Sequence, residues 1–148
     1  MSNLFGKILI LGSPRSGTKY IQKSMARLGI DLGHESTIGN NGLVSFLAIR
    51  SLIPYKCQPL LLKPVNIRKK DFQFIVHQVR NPLKVISSQA TLKKQSFDRM
   101  LIKPWRQGIF KDKINGYDYI AEFNVDEVAQ CWIDWNKACR KMSSYTYQ

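Results

Sequence analysis

The feature that most constrains this chain is the segment 7–28, KILILGSPRSGTKYIQKSMARL, where an apolar run meets a glycine-bounded turn and then a helical pattern. Ile8 to Leu11 read as a buried strand. Ile21, Met25 and Leu28 fall at i, i+4 and i+7, on one face of a helix. Gly29 stands where a left-handed C-terminal cap is expected. A strand, a tight loop and a helix in this order aim backbone N–H groups and the positive end of a helix dipole at an anion. Gly12 and Gly17 let the chain curl around a phosphate, Pro14 stiffens the turn, and Arg15 and Lys19 add positive charge beside it. The segment predicts a phosphate-binding loop. The plainer alternative is a buried strand, a Gly-Pro turn and a helix with no ligand.

The spacing of Gly12 and Gly17 matches the nucleoside-triphosphatase loop G-x-x-x-x-G-K-[ST], but here Thr18 precedes Lys19, so the order is inverted. Moving the lysine by one position turns it about 100° around the helix, away from the phosphates. No apolar strand ending in Asp follows to supply a second magnesium contact. A magnesium-dependent kinase or triphosphatase is disfavoured.

A second anchor lies at 72–88, FQFIVHQVRNPLKVISS. Its first half is rich in β-branched and aromatic residues and reads as a central strand. Asn81 then caps a helix that has Pro82 at its first position, with Leu83, Ile86 and Ala90 as its apolar face. Arg80, at the strand's end, offers a planar fork for phosphate oxygens, and Ser88 a hydroxyl donor two helical turns on. His77 reads as a satisfied core histidine.

Taken in order, Pro14-Arg15-Ser16-Gly17-Thr18 and Arg80-Asn81-Pro82…Ser88 resemble two motifs of the sulfotransferases that use 3′-phosphoadenosine 5′-phosphosulfate. The first is the 5′-phosphosulfate loop, P-[KR]-[SG]-G-T, and the second the 3′-phosphate motif, R-[ND]-P followed by Ser. The resemblance implies that Ser13, Pro14, Arg15, Ser16, Gly17, Thr18 and Lys19, with Arg80 and Ser88, bind the donor, and that no metal is needed. It also implies that Arg15 acts at the bridging oxygen. "LGIDLGHE", the following Asn-Gly and Ser45-Phe46 resemble a bacterial and viral branch of the family, with Asn41 for its Asp and Phe46 for its Trp. Trp132 to Asn136 match its W-x-x-W-N text.

The catalytic histidine that cytosolic members carry in a K-T-H pattern is absent, because the corresponding text is Lys63-Pro64-Val65. Glu35 and His34 are then the candidate bases, with Glu35 ranked first. A polar loop pair or a helix-capping pair is the alternative reading of both.

Between and beyond these anchors the chain says less. Residues 30–35 read as a short strand ending in a loop, and 40–52 as a turn feeding a helix. Residues 54–59 read as a linker, 60–62 as a short buried strand, and 91–123 as short helices and turns, either a lid over an acceptor or plain aromatic packing. Asn124 and Glu127 form a capping pair for a last helix, whose stripe of Val128, Trp132, Trp135, Cys139 and Met142 reads as core.

A length of 148 residues suits one domain spanning 1–148. Measured against the family, it stops short of a typical catalytic domain at the C-terminus. The 23 Lys and Arg, which give a net charge of +13, are dispersed and accompany no nucleic-acid-binding motif, so most read as a solvated face. Specific nucleic-acid binding is not expected. Apolar runs are far too short for a membrane span, no leader is visible, and Cys57, Cys131 and Cys139 lack metal-ligand spacing. They read as reduced thiols in a cytoplasmic protein.

The expectation is an α/β fold like that of the P-loop triphosphatases, with a mostly parallel central sheet and helices on both faces. Its expected activity is sulfuryl transfer from 3′-phosphoadenosine 5′-phosphosulfate to a small-molecule or glycan acceptor. The rivals are a non-catalytic nucleotide-binding relative and, behind it, a nucleotide kinase or triphosphatase.

Overall fold

The computed structural model describes residues 6–54, 57, 65–90 and 125–148. Five strands, β1 (Ile8–Gly12), β2 (Leu32–His34), β3 (Gly42–Ser45), β4 (Phe74–Gln78) and β5 (Tyr145–Tyr147), form one sheet in the order β2-β3-β1-β4-β5. Every pairing is parallel. Helices α1 (Thr18–Arg27), α2 (Pro82–Ala90) and α3 (Val125–Met142) complete the described helices, with 3₁₀ turns at Leu47–Leu52 and Lys69–Asp71. The α/β class and the parallel sheet expected from sequence are both present.

Alternation along the strands divides the core into two layers. Leu9, Leu11, Leu43 and Ile75 point to one face and pack with Val128, Trp135 and Cys139 of α3. Ile8, Ile10, Val44 and Val76 point to the other and pack with Ile21 and Met25 of α1. With both faces covered, β1 and β3 read as continuous apolar runs, as buried parallel strands do. Residues 42–45 are therefore strand, and the helix expected over this stretch is replaced by β3 and the 3₁₀ turn after it. Leu43 and Val44 are wholly buried, one on each face, which a helix with a single apolar stripe would not require.

The end of α1 follows the cap predicted at Gly29. Ile30 N–H donates to Met25 O and Gly29 N–H to Ala26 O, each at 3.0 Å, with Gly29 at φ 78°. These bonds form a Schellman motif, and Met25 and Ile30 complete it by packing in the same cluster. The turn carries Leu28 out of the helix, and it is 74% exposed instead of continuing the apolar face.

Residues 35–41 join β2 to β3, a connection shorter than the dozen or so residues that parallel neighbours usually need. The chain achieves this by folding back over β2. Asn41 N–H donates to Asp31 O, Gly39 N–H to Gly42 O and Thr37 N–H to His34 O. The return path crosses so closely that a Cβ on Gly33 would overlap the Thr37 carbonyl, and one on Gly39 would crowd Asp31 O. We expect Gly33→Ala to cost about 1–3 kcal/mol of stability through this overpacking. Chemical denaturation measures it, and an unchanged midpoint would show that the crossing yields freely.

The cysteines also differ from the sequence reading. Cys57 and Cys131 form a disulfide, while Cys139 is a free, buried thiol. The bonded pair is 74 residues apart in sequence and is brought together because α3 packs beside residue 57. Spacing along the chain carries no sign of that proximity. Two of the three cysteines are thus not reduced thiols, and cysteine usage no longer speaks for a reducing compartment. Beside the bridge, Trp135 Nε1 donates to Cys57 O at 3.3 Å, and its ring meets Phe46 edge-on at 5.7 Å. Residues 145–147, to which the sequence reading assigned no element, form β5, an exposed strand paired with β4 at one edge of the described sheet.

His77 is a satisfied core histidine, as expected. Its Nε2 lies 2.9 Å from Asn136 Oδ1 and its Nδ1 3.4 Å from Thr146 Oγ1. On α3, Val128, Trp135 and Cys139 are buried and Met142 packs partly against them, so the expected stripe is largely core. The strand read over 60–62, residues Lys63 and Pro64, the helices and turns read over 91–123, and Asn124 lie outside the described residues.

Candidate functional site

The turn after β1 is built to approach something closely. Ser16 N–H donates to Ser13 O at 3.0 Å, Arg15 takes a left-handed φ of 68°, and Gly17, at φ 99°, is the N-cap of α1. Ile21 N–H to Gly17 O is the first full turn of that helix. The N–H groups before it have no intrahelical acceptor, and Gly17 brings no side chain to cap them. A Cβ on Gly12 would press on Ser16 Oγ and force that hydroxyl to move. The hydroxyls of Ser13 and Ser16 are both buried and both without a hydrogen-bond partner. Orphaned buried hydroxyls in a turn at a helix N-terminus match the chemistry of an anion cradle.

The two sequence anchors meet here. Arg80, after β4, donates from Nη1 to Arg15 O at 3.0 Å, and Arg15 Nε donates to Ser88 Oγ of α2 at 3.1 Å. Asn81 caps α2 as predicted, its Oδ1 accepting from Leu83 N–H and Lys84 N–H. Because β1 and β4 are neighbours, the loops at their C-terminal ends are adjacent. The chain runs from β1 toward β2 and β3 on one side and later to β4 and β5 on the other. This reversal is where open α/β sheets place ligands. The Arg15 guanidinium has its pKa lowered by burial and then by Arg80. An anion between or beside these two like charges would ease their repulsion.

Gln78, which sequence reasoning missed, fixes the loop from below by donating from Nε2 to Ser16 O at 2.8 Å. A glutamine at the end of a strand that begins Phe-Ile-Val was the available signal.

His34 and Glu35, at the end of β2, lie against Thr18. Glu35 takes φ 56°, which turns its carboxylate inward. Oε1 accepts from Thr18 Oγ1 at 3.2 Å, while Oε2 accepts from Ser45 Oγ and Phe46 N–H at 3.3 Å each. His34 Nε2 lies 3.2 Å from Thr18 Oγ1 and 3.3 Å from Glu35 Oε1. Burial pushes the Glu35 carboxyl up to about 7, against hydrogen bonds from Thr18, Ser45 and the Phe46 and Leu47 amides that act to lower it. Burial, and then the charge of Lys19, lower the His34 pKa, so its imidazole is neutral at physiological pH. Lys19 itself is exposed.

All nine residues assigned to donor binding and the His34–Glu35 pair therefore lie on or against one loop. Lys63 lies outside the described residues. Among the described residues, no cluster of three His, Cys, Asp or Glu side chains could hold a metal ion, and no helix is long and apolar enough to cross a membrane. No family model, curated protein or solved structure matches the chain.

Proposed function

We propose that this loop binds a 3′-phosphorylated adenosine nucleotide, and that the protein moves a sulfuryl group from 3′-phosphoadenosine 5′-phosphosulfate to an acceptor hydroxyl or amine. The observation that carries the reading is the joining of two separate anchors at one point, with Arg80 bonded to the Arg15 carbonyl and Arg15 to Ser88. The unpartnered hydroxyls of Ser13 and Ser16 fit an oxyanion in the same turn. In this reading the amides of Gly17, Thr18 and Lys19 with Arg15 bind the 5′ group, and Arg80 with Ser88 bind the 3′-phosphate.

The donor supplies an activated sulfuryl group: the acceptor oxygen or nitrogen attacks its sulfur in line, and the bond from sulfur to the bridging oxygen breaks as adenosine 3′,5′-bisphosphate leaves. Arg15 and the loop amides stabilise the negative charge that gathers on the leaving phosphate. Both Glu35 oxygens are occupied by inward hydrogen bonds, whereas the His34 side chain is 31% exposed. That difference favours His34 over Glu35 as the group that takes the acceptor's proton. With Nε2 turned to Thr18 and Glu35, Nδ1 is the ring nitrogen that can meet an acceptor.

Binding in the absence of magnesium tests the reading. We expect adenosine 3′,5′-bisphosphate to bind equally well in a chelator and in excess magnesium. A strict magnesium requirement would sink it in favour of a kinase or triphosphatase.

A further inference from the structure

The hydrogen bonds around Thr18 contain an unspent alternative. Thr18 has one hydroxyl proton, and it is donated to Glu35 Oε1. His34 Nε2 occupies a second direction on the same oxygen. As long as the proton points at Glu35, the Thr18 hydroxyl can offer nothing to an anion in the loop, although Thr18 is the first residue of α1 and its N–H faces that anion. Its partner is fixed on the far side. Glu35 Oε2 takes Ser45 O–H and Phe46 N–H, and Ser45 Oγ in turn accepts Leu47 N–H. Oε2 carries an amide N–H that has no proton to yield, whereas Oε1 faces the Thr18 hydroxyl, which can accept as well as donate, so Oε1 is the better place for a proton that Glu35 gains.

Resting on the anion-loop reading above, we infer that Glu35 is a proton-coupled positioning residue: protonation of Oε1 reverses the Thr18–Glu35 hydrogen bond and releases the Thr18 hydroxyl to the bound anion. The bookkeeping closes on every atom. In the protonated form Thr18 Oγ1 accepts from Glu35 Oε1–H and from His34 Nε2–H, and donates its single proton to the anion. In the ionised form it accepts from His34 and donates to Glu35, and the buried carboxylate adds a negative charge near the loop. Both effects act in one direction.

The surroundings allow the proton to land on the carboxyl. From β2 the facing titratable group is His34, whose affinity for a proton is lowered by burial and by Lys19 of α1. From β3 and the turn after it the facing groups are Ser45 and the amides of Phe46 and Leu47, none of which titrates. Among the described residues, His34 is the one side chain of possible positive charge within ion-pair distance of Glu35. Burial has already brought the Glu35 carboxyl to about 7, so the reversal falls within the physiological range.

Inorganic sulfate is the suitable probe, because it keeps the same charge across neutral pH and phosphate does not. For the wild-type protein we expect the sulfate dissociation constant to rise about tenfold from roughly pH 6 to pH 8, as the carboxyl ionises through its folded pKa. Calorimetry in two buffers of different ionisation heat should register uptake of up to one proton per sulfate bound. Glu35→Gln, whose carboxamide N–H can donate to Thr18 permanently, should hold the low-pH affinity throughout. Thr18→Val should bind more weakly and lose most of the pH response. The inference is overturned if wild-type affinity is flat with pH and no proton is taken up. It is equally overturned if Thr18→Val keeps the full response, which would assign the effect to charge repulsion alone. If neither sulfate nor adenosine 3′,5′-bisphosphate binds at any pH, the anion-loop reading itself falls, and this inference with it.

Discussion

Replacing Arg80 with alanine should weaken binding of adenosine 3′,5′-bisphosphate by about 2–5 kcal/mol, the usual cost of removing one partner from a partly buried, charge-assisted contact. Arg80 is half-buried, and its Nη1 is already anchored to the Arg15 carbonyl. The substitution therefore loosens the loop as well as removing a guanidinium from the site. The two contributions separate experimentally. Arg80→Lys restores the charge without the planar fork and should recover only part of the affinity. Binding calorimetry on variants with an unchanged thermal midpoint provides the comparison. An unaltered dissociation constant in folded Arg80→Ala would make Arg80 a structural brace for the loop and nothing more.

The second large effect concerns proton transfer. His34→Ala should lower sulfuryl transfer by about 10²–10⁴-fold, the usual contribution of a positioned general base. Nucleotide affinity should change far less, because the proposed binding mode holds the anion with the loop amides and the arginines and not with His34. The pH profile carries an independent signature. The folded His34 pKa is lowered, so the imidazole remains neutral and able to accept a proton below the ordinary histidine range. Activity should therefore decline on the acid side only beneath pH ~6.5, the unperturbed value. Full turnover in His34→Ala, with loss in Glu35→Gln, would return the base to Glu35.

How much of this was legible in the sequence depends on how local each signal is. The strand–loop–helix at 7–28 and the Arg80-Asn81-Pro82 start of α2 are written in adjacent residues, and both took the expected form except for Leu28 and Leu83, which were expected on apolar faces and are exposed. That they meet follows from β1 and β4 being neighbours, which the paired motifs suggested and periodicity alone could not. β3 was misread because four residues buried on both faces have no alternation to distinguish strand from helix. The return of residues 35–41 over β2 depends on Gly33 and Gly39 facing one another, a relation between backbones with no pattern in the letters. The Cys57–Cys131 bridge is hidden for the same reason, its two ends being distant in sequence. At the site, the Thr18–Glu35–His34 cluster was foreseen as a neighbourhood. Its inward hydrogen bonds to Ser45 and Phe46, which decide the roles within it, come from the strand that was misread.

The central claim is that the loop recognises a 3′-phosphorylated adenosine nucleotide. A competitive calorimetric titration of adenosine 3′,5′-bisphosphate against ATP–Mg²⁺ on the wild-type protein tests it most directly. The inverted Thr18-Lys19 order and the Arg80–Arg15–Ser88 chain predict that the bisphosphate binds more tightly and displaces ATP–Mg²⁺. Equal or tighter binding of ATP–Mg²⁺ would contradict the account.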